Sequence, residues 1–165
     1  MKPVLGLPGR NPETEKWLAS LLEKLGADDV EVARYRHWQN EAEPDVMSET
    51  VAHPVTGRKL VVAKSMGTMV LLASAQQGDP ERAVLIGVPV QGYSEAQLDD
   101  LQALSRRLPC LFIQQTDDFT GSAATLRAAL GGSAVLEEVA GSDHIYADVD
   151  ELVALIGNWQ ASLHG

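Results

Sequence analysis

The 165 residues allow one domain with one sizeable core, residues 1–165, and the hydrophobic share of 45% is ordinary for a globular protein. The net charge of −10 argues against nucleic acid and anionic membranes as partners, and no apolar run approaches the roughly 20 residues that cross a bilayer. The start does not resemble a signal peptide, and a single cysteine, Cys110, excludes an internal disulfide, so we expect a cytoplasmic protein.

Short apolar runs alternate with amphipathic stretches along the chain, which is typical of parallel strands joined by crossover helices. In chain order the sequence predicts a strand over residues 3–7, a helix over 12–25, a strand over 29–35, a polar loop over 36–43, a helix over 44–53, a strand over 59–63, a helix over 65–73, a strand over 82–88, a helix over 95–104, a strand over 109–114, a helix over 123–130, a strand over 133–139 and a helix over 149–163. We expect Asn11 to cap the first long helix, and Ser94 with Gln97 to form a capping box. The fold class is therefore α/β, a three-layer α/β/α sandwich with a mainly parallel sheet of about six strands.

The segment Ala63-Lys64-Ser65-Met66-Gly67 links a buried strand to an apolar helix. It follows the nucleophile-elbow pattern G-x-S-x-G, with Ala63 in place of the first glycine. A sharp strand-to-helix turn needs small residues two positions either side of the serine, and Ala63 and Gly67 meet that demand. By itself the motif leaves open a plain junction in which Ser65 only caps the helix.

Two later loops supply partners for this serine. Asp118 follows a late strand, and His144 lies between the last strand and the last helix. The order Ser65, Asp118, His144 is the order of the α/β-hydrolase triad, in which histidine is the general base and the acid orients it. Asp117 competes with Asp118 for the role of the acid, and motif register favours Asp118.

The chain thereby resembles small, lid-less α/β-hydrolases and is similar to the dienelactone-hydrolase-like and RBBP9-type serine hydrolases. Ser65-Met66-Gly67 matches the elbow of that family. The segment 114–118 matches its Q-G-T-x-D motif, with Gln115 where glycine is usual, and His144 matches its terminal histidine. The resemblance covers nearly the whole chain, and the first strands of the family's full-length fold have no counterpart in it. The resemblance therefore implies a minimal α/β-hydrolase fold.

The rest of the site is assigned to neighbouring loops. The Met66 N–H is a predicted oxyanion donor, and the N–H of Arg10 or Asn11 in the loop after the first strand is the candidate for the second. Three residues are candidates for substrate binding: Gly9, Lys64 and Trp38. For Lys64 a plain surface charge is the favoured interpretation, for Trp38 a half-exposed packing role, and Cys110 is expected to be a buried packing residue.

The predicted activity is an esterase-like acyl hydrolase that acts on a small ester, thioester or amide through an acyl-enzyme. We expect a small-molecule substrate, no cofactor and no metal; the oligomeric state stays open. Only about twenty residues separate the strands at 82–88 and 109–114, which leaves room for one helix and predicts an open cleft without a lid. Two alternatives remain: a catalytically silent protein-interaction module on this fold, and a flavodoxin-like nucleotide-binding domain.

Overall fold

The computed structural model describes residues 1–164 and contains one six-stranded sheet in which every pair of neighbouring strands is parallel. The strands are β1 Val4–Leu7, β2 Val30–Val32, β3 Leu60–Lys64, β4 Ala83–Ile86, β5 Cys110–Gln115 and β6 Val135–Val139. Their order across the sheet is β2-β1-β3-β4-β5-β6. The chain reverses direction across the sheet between β1 and β3, and open α/β sheets bind ligands at such a switch point, beyond the carboxyl ends of the strands.

Within residues 1–164, seven α-helices cover the two faces of the sheet. They are α1 Glu13–Lys24, α2 His37–Asn40, α3 Val46–Ala52, α4 Met66–Ser74, α5 Glu95–Arg107, α6 Ala123–Leu130 and α7 Val149–Ser162. Apolar residues of α1 and α7 pack on one face, and those of α4, α5 and α6 pack on the other. Successive residues of the central strands alternate between these two cores, as the period of two in a strand requires.

The predicted fold class is confirmed. The strands β1, β3, β4 and β5 begin and end within two residues of their predicted positions. The capping box of Ser94 and Gln97 is present, and Cys110 is buried. The edge strand β2 is shorter than predicted, with three residues. An edge strand has a neighbour on one side only, so fewer of its residues form hydrogen bonds to another strand.

Two local predictions are wrong. The segment 36–43 is not entirely loop, because residues 37–40 form the single turn of α2. Asn11 does not cap α1 with its side chain: Pro12 is the N-cap, without a side-chain bond, and the main-chain carbonyl of Asn11 accepts instead from the Thr14 N–H and hydroxyl.

The connection from β4 to β5 contains a short 3-10 turn, Val90–Gly92, followed by α5. This single helix packs on the sheet and contributes Leu101 and Leu104 to the core, so nothing in this connection covers the switch point. None of the helices within residues 1–164 is long and apolar enough to cross a membrane.

Candidate active site

Three side chains from separate loops meet at the carboxyl edge of the sheet. Ser65 directly follows β3, Asp118 lies three residues beyond β5, and His144 lies five residues beyond β6. The His144 Nε2 atom is 2.7 Å from the Ser65 Oγ atom, and its Nδ1 atom is 2.8 Å from Asp118 Oδ2. The arrangement is a continuous hydrogen-bonded chain from hydroxyl to imidazole to carboxylate.

Ser65 occupies a strained backbone conformation, with φ 53° and ψ −114°. Non-glycine residues rarely adopt such angles, and the surrounding packing must impose them. The strand and the helix on either side impose these angles. Ala63, near the end of β3, is fully buried, and the Ser65 carbonyl accepts a hydrogen bond from the Thr68 N–H in the first turn of α4. The turn raises the hydroxyl above the sheet edge, half-buried and open to the cleft.

Gly67 brings the start of α4 into direct contact with the loop that follows β1. A Cβ atom at this position would lie 2.0 Å from the Leu7 carbonyl oxygen and 2.8 Å from that of Pro8. The second glycine of the elbow is thus required by the neighbouring loop as well as by the turn. The same contact fixes the distance between the two elements that carry the candidate oxyanion donors.

Asp118 is buried, and its carboxylate accepts hydrogen bonds from four donor groups. These come from His144 Nδ1, from the Thr120 N–H and hydroxyl, and from the Tyr146 hydroxyl at 2.8 Å. Burial would raise the pKa of Asp118, but hydrogen bonds from His144, Thr120 and Tyr146 prevail and hold that pKa at about 2. Asp117, the alternative acid, is exposed, and it is Asp118 that the structure brings to the imidazole.

The loop that carries His144 is attached to β5 by Gln115. The Gln115 Oε1 atom accepts from the His144 N–H at 2.8 Å, and its Nε2 atom donates to Asp143 at 2.9 Å. The Gln115 N–H in turn donates to the Tyr146 hydroxyl at 2.7 Å. The glutamine that stands where the family pattern has glycine therefore forms three of the bonds that shape the histidine loop.

Lys64 is not a surface charge, because only 3% of it is exposed. Its ammonium donates to the His144 main-chain carbonyl at 2.8 Å and lies 5.3 Å from the centre of the Tyr146 ring. Burial lowers the pKa of Lys64 to about 8, although the charges of Asp118 and Asp143 act in the opposite direction. The alternation of Leu60 and Val62 into one core predicts this burial when it is continued to residue 64.

The candidate oxyanion donors come from both sides of Ser65. The Met66 N–H opens α4, where the helix dipole adds partial positive charge. Gly9 passes so close that a Cβ atom on it would lie 3.6 Å from the Ser65 Cβ atom, and the next two residues, Arg10 and Asn11, line the same cleft as Ser65. Among residues 1–164 no acceptor is bonded to the N–H of Met66, Arg10 or Asn11.

A cleft of about 480 Å³ opens over Ser65 and His144. Of the candidate binding residues, Gly9, Arg10, Asn11 and Lys64 line it. The remaining lining residues were not predicted; they are Glu13, Thr14, Trp17, Phe119, Asp143 and Ile145. Phe119 is 65% exposed and Ile145 is 59% exposed. Their positions next to Asp118 and His144 in the sequence are the signal that could have identified them.

Trp38 is not among the residues that line the cleft. Its indole N–H instead donates to the Arg10 carbonyl at 2.6 Å, from the outer side of the β1–α1 loop. Within residues 1–164 there is also no cluster of three His, Cys, Asp or Glu side chains with the geometry of a metal site.

The sequence matches no protein-family model and no curated protein. Its structure is similar to RedJ, a thioesterase of the prodiginine pathway of Streptomyces coelicolor, with a TM-score of 0.66 and 15% identity over 94% of this chain and 84% of that chain. For a ydeN-like hydrolase of Pectobacterium atrosepticum the TM-score is 0.67, with 16% identity over 97% and 91% of the two chains.

An α/β serine hydrolase without a lid from Xanthomonas campestris matches with a TM-score of 0.58 and 14% identity, over 99% of this chain and 83% of that chain. At such identities the likeness concerns the fold. The parallel sheet, its strand order and these neighbours agree: this chain has an α/β-hydrolase fold.

Proposed function

We propose that the protein is a serine hydrolase, an esterase-like acyl hydrolase that uses Ser65, His144 and Asp118 as its catalytic triad. The observation that carries the proposal is the hydrogen-bonded chain between them, with 2.7 Å from Ser65 Oγ to His144 Nε2 and 2.8 Å from His144 Nδ1 to Asp118. Both distances lie within the range in which a base takes a proton from a nucleophile and an acid orients that base.

In the first half-reaction the Ser65 oxygen attacks the substrate carbonyl carbon, and the hydroxyl proton passes to His144 Nε2. The carbonyl π electrons move to the oxygen, which becomes an oxyanion. The Asp118 carboxylate stabilises the imidazolium without taking its proton. When the tetrahedral intermediate collapses, the bond to the leaving group breaks, and His144 returns the proton to that group.

The oxyanion is bound by the Met66 N–H and by an N–H of the β1–α1 loop, from Arg10 or Asn11. These amides are fixed before substrate arrives, so they stabilise the new charge without reorganisation. In the second half-reaction His144 takes a proton from water as the water oxygen adds to the acyl carbon. The bond from that carbon to Ser65 Oγ then breaks, His144 returns the proton to Ser65, and the acid product leaves.

The side chains of the cleft favour a small substrate with an apolar acyl group. Trp17, Phe119 and Ile145 offer apolar surface. The charged side chains of the cleft are two of each sign, Arg10 and Lys64 against Glu13 and Asp143. Structural neighbours described as esterases and thioesterases support esters and thioesters as the substrate class. The connection between β4 and β5 supplies no cover, so long acyl chains would remain partly in solvent.

The proposal is tested with a fluorophosphonate probe, which labels an activated serine covalently. We expect labelling of the native protein and its loss in Ser65→Ala and His144→Ala, while Ser105→Ala, the same serine-to-alanine change in α5, keeps it. Hydrolysis of p-nitrophenyl esters of increasing acyl length should show the same dependence. A native protein that neither reacts with the probe nor hydrolyses any ester would instead favour an interaction module on this fold.

A flavodoxin-like nucleotide-binding domain is the second candidate, because its strand order 2-1-3-4-5 is the order of the first five strands here. The test is the nucleotide content of the purified protein and the shift in its Tm on adding a flavin or adenine nucleotide. We expect no bound nucleotide and no shift; a stoichiometric nucleotide would overturn the hydrolase proposal.

A further inference from the structure

The loop between β1 and α1 is held from outside by three side chains of the segment 35–38. The Tyr35 hydroxyl donates to the Pro8 carbonyl at 2.6 Å. His37 Nε2 lies 2.8 Å from the Arg10 carbonyl oxygen, and Trp38 Nε1 donates to that same oxygen at 2.6 Å. A carbonyl oxygen with two such partners has both lone pairs occupied and has little freedom to rotate.

These bonds determine where the loop amides point. The peptides of this chain are trans, so each carbonyl oxygen and the N–H of the following residue point in opposite directions. Drawing the Arg10 carbonyl towards the two rings turns the Asn11 N–H to the opposite side. Drawing the Pro8 carbonyl towards Tyr35 does the same for the Gly9 N–H. The peptide that carries the Arg10 N–H is held separately, because its Gly9 carbonyl accepts from the Thr14 hydroxyl at 3.3 Å.

The rings lie on one side of this loop and the cleft on the other. Neither His37 nor Trp38 lines the cleft, whereas Arg10 and Asn11 do. The rings also support each other, since Tyr35 is 5.0 Å from Trp38 and 5.9 Å from His37 between ring centres. Because a carbonyl oxygen only accepts hydrogen bonds, His37 is the donor in its contact with Arg10, through Nε2.

We propose that Trp38 and His37 are positioning residues for the second oxyanion donor: by holding the Arg10 carbonyl they aim the Asn11 N–H at the oxygen that becomes negative on the substrate. This inference rests on the proposed serine-hydrolase function and adds residues that do not touch the substrate. It also explains a tryptophan and a histidine side by side in a one-turn helix too short to be stable without tertiary contacts.

The test removes the donors and keeps the rings. In Trp38→Phe and in His37→Phe we expect kcat for a short p-nitrophenyl ester to fall about tenfold with KM within a factor of about two, because the oxyanion exists in the transition state and not in bound substrate. His37→Gln, which retains an N–H donor, should recover most of the loss. Trp159→Phe, the same change in α7, is the matched control and should leave kcat unaltered.

A trifluoromethyl ketone supplies a second measurement, since its adduct with Ser65 carries an oxyanion. Its inhibition constant should rise by the same factor as kcat falls, and the Tm of each variant shows whether the fold is intact. If Trp38→Phe fails to fold, His37→Phe and His37→Gln decide alone.

Unchanged kcat in the folded variants, or a loss that appears in KM alone, would overturn the positioning role while leaving the hydrolase proposal intact. A native protein without Ser65-dependent hydrolysis would defeat the hydrolase proposal first, so the two failures are distinguishable.

Discussion

The Lys64 ammonium and the His144 main-chain carbonyl form a hydrogen bond of 2.8 Å between residues 80 positions apart in the sequence. Lys64 directly precedes Ser65, so this bond ties the loop that carries His144 to the strand that leads into Ser65. A buried cation is costly, and here it is offset by a carbonyl, an aromatic ring and two nearby carboxylates.

Lys64 should make stability depend on pH in alkaline solution. Its pKa is about 8 in the folded protein against an ordinary 10.5, so between these values the unfolded chain binds a proton that the folded protein has released. The free energy of unfolding of the native protein should therefore rise, relative to that of Lys64→Met, by about 2 kcal/mol from pH 7.5 to pH 10. Urea unfolding at the two pH values measures the difference. For Lys59→Met, which changes an exposed lysine, the free energy of unfolding should differ from that of the native protein by the same amount at both pH values. If the difference for Lys64→Met is also the same at both pH values, the pKa of Lys64 is not lowered in the folded protein.

The two adjacent aspartates should differ sharply in their effect on turnover. Asp118→Asn exchanges a carboxylate that orients His144 for an amide, and by analogy with other triads kcat should fall about 10³- to 10⁴-fold. Asp117→Asn changes an exposed side chain and should leave kcat within a factor of about two. Steady-state hydrolysis of one ester by both variants measures the two kcat values. A larger loss of kcat in Asp117→Asn than in Asp118→Asn would make residue 117 the acid.

Gly67 and Gly157 are both helical glycines and should respond in opposite ways to alanine. In Gly67→Ala the new methyl group would meet the Leu7 carbonyl, so the β1–α1 loop or α4 must move, and we expect a loss of about 2–4 kcal/mol in stability and at least about 100-fold in kcat. No atom lies within 4 Å of the added methyl in Gly157→Ala, which should gain up to about 1 kcal/mol with unchanged kcat. Urea unfolding and ester hydrolysis of both variants test the contrast. Normal turnover in Gly67→Ala would mean that the loop is not held by this contact.

Phe119 should select for longer acyl groups. Its ring packs edge-on against His144 with 5.7 Å between the ring centres, and it is largely exposed at the cleft. In Phe119→Ala we expect kcat/KM for p-nitrophenyl hexanoate to fall about tenfold relative to the acetate, because buried apolar contact is lost. Met47→Ala removes an apolar side chain that is 66% exposed on α3 and should not alter the ratio. An unchanged ratio in Phe119→Ala would place the acyl group elsewhere.

The sequence predicted what depends on local pattern. Periodicity and small residues around Ser65 located the strand ends, and parallel connectivity alone brings residues that follow β3, β5 and β6 to one edge. The roles of Lys64 and Trp38 were missed for a different reason. Each depends on a main-chain carbonyl distant in sequence, on His144 and Arg10, and neither composition nor spacing encodes such a bond. The turn of α2 was missed because four residues carry too little periodicity to distinguish a helix from a loop.

Three residues of the site hold left-handed backbone angles without being glycine: Ser65 with φ 53°, His144 with φ 65° and Tyr146 with φ 57°. Each conformation costs on the order of 1 kcal/mol that glycine would avoid. At position 146 the loss of a buried aromatic ring would outweigh this gain, whereas the short side chain of Ser65 contributes little packing. In a lineage that no longer needed turnover, glycine at position 65 would therefore be advantageous, and its appearance would mark the branch on which selection for the hydroxyl ended.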